Sequence, residues 1–312
     1  MAFTPDPSVA IILVNWNGYD FTAACINSLR KLEFPDYQVI LVDNASGNNE
    51  GQKLLTAFPE IILLENKENL GFAGGNNVGI KKALEDGYSH IMLLNNDTEV
   101  APDFLGQMVR VFNSSNQQLG VVQPLITFLN DKGKIWSAGG KWNSLLGRSI
   151  TLGDRKPVED YQAKDVKLDW ATGCCMLISR EAMMKTGLLN ESYFAYFEDV
   201  EWSLRFREKG YQIALASKAM IYHEAGASSK KAHAEGVLSP KVFYYHVRNQ
   251  FYLIRGMQKG MSFLLSLGYH GFRFLLWILY FCLRGRFQKL KAVVNGMIDG
   301  LGASLKKAPS WP

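Results

Sequence analysis

Cysteine is scarce in this chain. There are four, Cys25, Cys174, Cys175 and Cys282. None sits in a C-x-x-C pair, which excludes zinc clamps and a disulfide framework. Thiols so placed fit a reducing, cytosolic compartment. Periodic glycine and proline are missing as well: 28 Gly and 10 Pro follow no repeat, which excludes collagen-like and low-complexity chains. The opening residues, MAFTPDPS, carry neither the basic nor the apolar region of a secretory signal. Most of the chain also lacks an excess of one charge. The net charge is +5, and Arg284, Arg286, Lys289, Lys291, Lys306 and Lys307 against Asp299 account for all of it. The rest is neutral, so no basic face for nucleic acid is expected.

What is present is a folded composition, 47% hydrophobic and 20% charged over 312 residues. That is enough for one large α/β domain with an appendage. Strand and helix patterns alternate from Val9 to Leu94, with strands expected at Val9–Val14, Tyr37–Val42, Ile61–Leu64 and His90–Leu94. Helices are expected at Phe21–Leu32, Glu50–Phe58 and Phe72–Leu84. Fully apolar strands between amphipathic helices predict a mostly parallel sheet covered on both faces. After Pro102 the pattern turns mixed. Lys134–Trp142 and Leu168–Ser179 each read as one strand, and Tyr211–Ala216 and Ala219–His223 as two. Gly147–Lys167 and Ala225–Ser239 read as flexible, and everything after Pro240 as helical. The domain boundary therefore falls between residues 239 and 240: an α/β domain over 1–239 and a helical region over 240–312.

Each early strand runs into a polar loop: NWNG, VDNASGNN, ENLGFAGGNN, NNDTE. Ligands of open parallel sheets bind at the carboxyl ends of the strands, so these loops describe a site. Asp97 ends an apolar strand, where a carboxylate suits a divalent cation held mainly by substrate phosphate. Asp43 suits a nucleobase or ribose contact, or an Asx-turn. Gly71–Asn77 opens a helix whose N-terminus favours phosphate; its glycine order does not match a dinucleotide fingerprint, which makes a reductase remote. Glu198 and Asp199, among aromatics, suit a general base with an orienting partner, or ordinary acids of a helix start. His223 suits a metal ligand, a phosphate contact or a structural role.

Together these residues resemble family 2 glycosyltransferases of the GT-A, Rossmann-like fold, and especially rhamnosyltransferase-like members. The blocks that carry the resemblance are VNWNG (14–18), VDNASGN (42–48), NLGFAGGNN (69–77), LLNNDTEV (93–100), ATGCCMLISREAM (171–183), YFEDVEWSLRFREKGY (196–211) and YHEAG (222–226). The resemblance implies an inverting transfer of a sugar, L-rhamnose from dTDP-rhamnose or a sugar from a UDP donor, to a lipid-linked or growing cell-surface glycan. It implies Asp199 as general base and Glu198 as the residue orienting the acceptor. Mg²⁺ or Mn²⁺ would be held by Asp97 and His223, and Asn95 stands where the D-x-D motif has its first acid. The donor would lie against Asn15, Asn17, Asp43, Asn44, Gly74, Asn77, Asn95 and Asn96, and the acceptor against Thr172, Gly173 and Trp202. The alternative is a non-catalytic sugar-nucleotide or glycan-binding subunit, which Asn95 alone favours.

Met261–Leu283 is apolar but holds Arg273 and His270 near its middle. An insertion gain of about 4–7 kcal/mol is largely offset by these groups. Ser262, Ser266, His270, Arg273, Trp277, Tyr280 and Arg284 form one stripe, and Phe263, Leu264, Leu267, Phe274, Leu275, Ile278 and Cys282 the opposite face. A helix lying in the membrane interface fits this pattern, with the basic stretch on the inner leaflet. The enzyme would then be cytoplasmic and peripherally attached to the inner membrane surface. The alternative is that the apolar face packs on the catalytic domain or on a second subunit of an oligomer.

Overall fold

The computed structural model describes residues 8–114, 118–161, 166–224, 230–233 and 235–310. The chain runs β1 (Val9–Asn15), α1 (Tyr19–Leu29), β2 (Tyr37–Asp43), α2 (Glu50–Ala57), β3 (Ile62–Glu65), α3 (Gly71–Glu85), β4 (His90–Leu94), β5 (Thr98–Val100), α4 (Phe104–Ser114) and β6 (Leu119–Phe128). It continues through β7 (Asp131–Ser137), β8 (Gly140–Asn143), β9 (Arg148–Thr151), β10 (Lys167–Leu168), β11 (Cys175–Ser179), α5 (Arg180–Thr186), α6 (Glu198–Glu208) and β12 (Gln212–His223). A hairpin follows, β13 (Lys230–His233) and β14 (Gly236–Leu238), then α7 (Pro240–Met257), α8 (Gly260–Leu283) and α9 (Phe287–Gly302).

The main sheet has the order β10-β12-β6-β11-β4-β1-β2-β3. It is parallel over β3-β2-β1-β4 and mixed beyond, because β11 runs antiparallel to both β4 and β6. Alternate residues of β1 serve two cores: Ala10 and Ile12 on one face, Val9, Ile11 and Leu13 on the other. A strand buried on both faces needs this continuous apolar run. Helix α3 lies close on the sheet: a Cβ on Gly79 would stand 2.6 Å from Ile12 Cγ2.

Several elements differ from the sequence expectation. Lys134–Trp142 is not one strand; it breaks between β7 and β8 at Gly139, whose φ is +81°. Leu168–Ser179 also breaks, and residues 169–174 leave the sheet between β10 and β11. The two strands expected after Tyr211 merge into β12, with a register irregularity between Ala216 and Met220. Within the stretch Gly147–Lys167, read as flexible, β9 forms and pairs back with β8; residues 162–165 lie outside the described residues. Within Ala225–Ser239, β13 pairs with β14, and residues 225–229 and 234 lie outside the described residues. The helical region stops at Gly302 rather than running to the end.

Candidate active site

The break between β10 and β11 is where the site is built. A cavity of about 470 Å³ is lined by Asn95, Asp97, Thr172, Gly173, Glu198, Asp199 and His223, with Phe72, Trp136, Trp170, Tyr196, Phe197 and His246 among its other walls. Asp97 follows β4, Thr172 and Gly173 precede β11, the acids open α6, and His223 ends β12. Four distant segments thus deliver the expected chemistry to one space.

The loop before α6 is under backbone strain. Phe194, Tyr196 and Phe197 all have positive φ, 62°, 72° and 70°, a conformation that costs a non-glycine residue about 1–3 kcal/mol. Its neighbours hold it there. The Phe194 carbonyl accepts the amide protons of Phe72 (2.7 Å) and Ala73 (3.3 Å), which begin α3. Asn249 Nδ2 donates to the carbonyls of Tyr193, Ala195 and Tyr196 at 2.9, 2.7 and 2.8 Å. His246 stacks on Tyr196 at 4.5 Å. Helix α7 therefore forms a wall of the cavity and fixes the segment that aims the acids.

The two acids have different surroundings. Asp199 Oδ2 accepts the Gly173 amide proton at 2.9 Å and Oδ1 that of Val200 at 2.8 Å. Burial raises its pKa, and these amide donors oppose the rise. Glu198 is pushed well above the ordinary carboxylate range, first by burial and then by the adjacent Asp199 charge. Its Oε2 is buried without a hydrogen-bond partner among the described residues. Asp199, which accepts two amide protons, is the better-stabilised carboxylate of the pair, and Glu198 has no such donors to its Oε2. A carboxylate that is ionised and faces a cavity can take a proton from a bound hydroxyl. Burial and Arg273 push His246 down to about 4, so its ring is neutral at neutral pH.

Asp97 Oδ1 lies 3.2 Å from His223 Nε2, yet neither Oδ1 nor His223 Nδ1 has a hydrogen-bond partner among the described residues. The Glu224 amide donates to the Asp97 carbonyl at 2.9 Å, tying the two segments together. A buried oxygen without a donor beside an imidazole nitrogen fits a divalent cation. Among the described residues no cluster of three or more His, Cys, Asp or Glu exists to cage one. Two protein ligands suit a cation whose remaining positions go to phosphate oxygens.

Several other expected site residues serve the scaffold instead. Trp202 is fully buried, donates from Nε1 to the Gly187 carbonyl at 2.9 Å and packs on Phe206; it is a core residue, not an acceptor contact. Asn44 is also buried and spends its amide on Asn69, Gly71, Asn66 and Leu70. Asn77 is bound to Leu189 and Glu191. Gly74 is buried within α3, where a Cβ would stand 2.7 Å from Leu70 Cβ. The start of α3 holds no free phosphate site, because Asn69 Oδ1 and the Phe194 carbonyl already accept its first amide protons. Asn15 is fully buried and joins Asp43, Ser46, Glu50 and Thr22. Asp43 makes the Asx-turn contact, its Oδ2 accepting the Ser46 amide proton at 3.1 Å. Asn17 is exposed and its Oδ1 accepts from the Gly47 amide at 2.8 Å, while Asn96 donates to Thr22 at 2.8 Å. Both lie in the loops that follow β1 and β4, outside the cavity lining.

The sequence reading missed Phe72, Trp136, Trp170, Tyr196, Phe197 and His246. Tyr196 and Phe197 adjoin the acids and could have been found as a strained aromatic approach to a helix start. His246 had no local signal, since its contact comes from a helix assigned to the appendage.

A family model for Glycosyl transferase family 2 matches residues 10–187. The chain is 30% identical over 177 residues to the low-salt glycan biosynthesis hexosyltransferase Agl10 of Haloferax volcanii, covering 56% of this chain and 55% of that protein. It thus spans about half the length of that relative. It is 25% identical over 221 residues to the N-acetylglucosaminyl-diphospho-decaprenol L-rhamnosyltransferase of Mycobacterium tuberculosis, covering 64% of this chain and 68% of that one. Among solved structures, mannosyltransferase PcManGT from Pyrobaculum calidifontis, in complex with GDP-Man and Mn²⁺, superposes with a TM-score of 0.56 at 13% identity, over 96% of this chain and 77% of that one. The fold is GT-A, and with the family model spanning more than half of its length the chain belongs to glycosyltransferase family 2.

Proposed function

We propose that this glycosyltransferase moves a sugar, with inversion, from a nucleotide-sugar donor to a hydroxyl of a lipid-linked or growing cell-surface glycan. L-Rhamnose from dTDP-rhamnose is the donor we favour, supported by the rhamnosyltransferase named above. The observation that carries the reading is that Asp97 and Asp199 face one cavity. Asp199 takes the acceptor proton as the oxygen attacks the anomeric carbon from the face opposite the leaving diphosphate. One displacement inverts the centre. A positioned base contributes about 10²–10⁴-fold. Glu198 orients the acceptor. Asp97 and His223 would hold Mg²⁺ or Mn²⁺, which when bound neutralises charge on the diphosphate. Donor contacts come from Asn95 in the cavity and from the exposed loops bearing Asn17 and Asn96.

The membrane attachment expected from Met261–Leu283 belongs to this proposal, with its faces reassigned. Helix α8 turns Ser266 and His270 of its polar stripe toward the protein, while Tyr280 and Arg284 stay exposed: His270 Nε2 lies 3.0 Å from the Leu146 carbonyl, and Ser266 Oγ donates to that of Leu145 at 3.4 Å. Phe274 and Phe281 of the same helix are buried. Met261, Leu264, Leu265, Phe272, Leu275, Leu276, Leu279 and Leu283 are exposed. An apolar row on the outside of a docked helix supports an interfacial position on the inner membrane surface.

The test is a thermal-shift panel of nucleotide sugars with Mg²⁺ or Mn²⁺. A ligand at a hundred times its dissociation constant stabilises the folded state by about 2.7 kcal/mol. dTDP-rhamnose is expected to give the largest shift, followed by slow donor hydrolysis. A UDP-sugar giving the shift reassigns the donor; binding without hydrolysis favours a non-catalytic subunit; no shift with any donor overturns the reading.

A further inference from the structure

Near the turn that joins β8 and β9 to α8 stand two arginines without a counter-charge among the described residues. Arg273 stands one turn after His270 on the inward stripe, its guanidinium 4.7 Å from the Phe274 ring centre and 5.7 Å from that of Trp277. Its Nε is buried with no hydrogen-bond partner among the described residues. Arg148 begins β9, in the turn that α8 and α7 grip through His270 and through Gln250, which donates to the Gly147 carbonyl at 3.0 Å. Neither arginine pairs with a carboxylate among the described residues. The two positions are brought together by Gly147, which adjoins Arg148 and whose carbonyl lies 3.2 Å from Nε2 of His270, one turn before Arg273; burial lowers the Arg273 pKa, Tyr269 opposes the shift and the like charge of Arg148 adds to it. The segment that carries Arg148 reaches the cavity: Ser149 lines it, and Gln250, which holds Gly147, stands one turn after the cavity residue His246 on α7.

Arg273 is partly buried, and such a cation without a partner is costly unless an anion completes it, while Arg148 beside it is exposed and free to join the same anion. The guanidinium fork matches phosphate oxygens in geometry as well as charge. Position selects among phosphates. On one side is the space where an acceptor hydroxyl would react, and on the other an apolar row suited to a hydrocarbon chain.

We propose that Arg148 and Arg273 bind the diphosphate of a lipid-linked acceptor, so that α8 holds the lipid side while the sugar enters the cavity. This inference rests on the lipid-linked acceptor and membrane position proposed above, and it adds the residues that recognise the linkage. It makes α8 a substrate-reading element as well as an anchor.

The experiment compares binding of the full-length protein to phosphatidylcholine vesicles carrying either farnesyl diphosphate or phosphatidylglycerol at matched surface charge. Divalent cations are omitted to keep the donor site disengaged. The wild type is expected to prefer farnesyl diphosphate by about tenfold to a hundredfold, the range of one or two charge-assisted contacts. Arg148→Gln and Arg273→Gln lose that preference and keep phosphatidylglycerol binding, whereas Asp97→Asn keeps both. Excess inorganic pyrophosphate that cancels the preference assigns recognition to the phosphate; failure to compete assigns it to the chain and overturns the proposal. Arg148 is exposed, so its variant remains a fair test if Arg273→Gln folds poorly. Equal binding to both vesicles, or an undiminished preference in Arg148→Gln, overturns the inference while the membrane reading stands. Binding to no vesicle overturns both.

Discussion

The Asp199 carboxylate and the Gly173 amide meet at 2.9 Å on the cavity wall. This contact joins the start of α6 to the segment before β11, and it holds the proposed base at one angle. Space there is short. A Cβ on Gly173 would stand 2.9 Å from Phe72 Cζ and 3.5 Å from Asp199 Cβ.

Gly173→Ala is therefore expected to fold, with a stability loss of about 1–3 kcal/mol from overpacking. Phe72 must yield by a few tenths of an ångström, and the Asp199 carboxylate shifts with it. Small misplacements of reacting groups cost up to about 10²-fold, so kcat is expected to fall about tenfold or more while donor affinity holds. Steady-state kinetics beside donor titration separates the two, and an unchanged kcat would remove Gly173 from base positioning.

Glu198→Gln tests the raised Glu198 pKa. The Glu198 pKa is raised in the folded state, so its contribution is favourable below the unfolded value of 4.5 and is lost as pH rises through the folded value. The amide cannot ionise. The variant is expected to be more stable than the wild type in neutral and alkaline buffer, by on the order of 1 kcal/mol, with the gain vanishing as pH approaches 4.5. Denaturation midpoints across pH read this directly. A constant difference would show that Glu198 carries no shifted proton.

The parallel half of the sheet was legible because β1, β2 and β4 are short apolar runs ended by polar loops, a local pattern. Asp97, Asp199, Glu198 and His223 were legible as acids and an imidazole at element ends. Their neighbours Asn44 and Asn77 were not separable from ligand contacts, because an asparagine that braces a loop and one that meets a sugar have the same local sequence. Only the satisfied amide of Asn44 tells them apart. The inward side of α8, which mixes Ser266 and His270 of the stripe with Phe263, Leu267, Phe274 and Ile278 of the apolar face, was not legible for a related reason. Periodicity locates a polar stripe, but not whether water or the carbonyls of Leu146 and Gly147 satisfy it.

Trp202→Phe checks the reassignment of that residue. The ring is fully buried and its Nε1 bonds the Gly187 carbonyl. Losing that donor leaves a buried carbonyl unpaired, at about 1–3 kcal/mol. The acceptor KM is expected to stay within about twofold of the wild type, since no substrate contact is lost. A several-fold rise in acceptor KM with normal thermal stability would restore Trp202 to the acceptor site.

Asn249 carries the remaining prediction. It lies on α7, fully buried, and its amide is the donor shared by three carbonyls of the strained loop before Glu198. Asn249→Ala removes these bonds at once, and Asn249→Asp replaces the donors with a charge that repels the same carbonyls. The loop can then relax from its positive-φ conformation, which recovers part of the lost stability. The geometry of Glu198 and Asp199 is not recovered. Both variants are thus expected to lose more in kcat than stability alone would explain, with the metal-dependent donor shift intact because Asp97 and His223 stand on other elements. Asn249→Gln keeps the donors on a longer arm and is expected to restore part of kcat. Equal losses of donor shift and kcat in all three variants would mean that α7 supports the fold generally and does not set the angle of the acids.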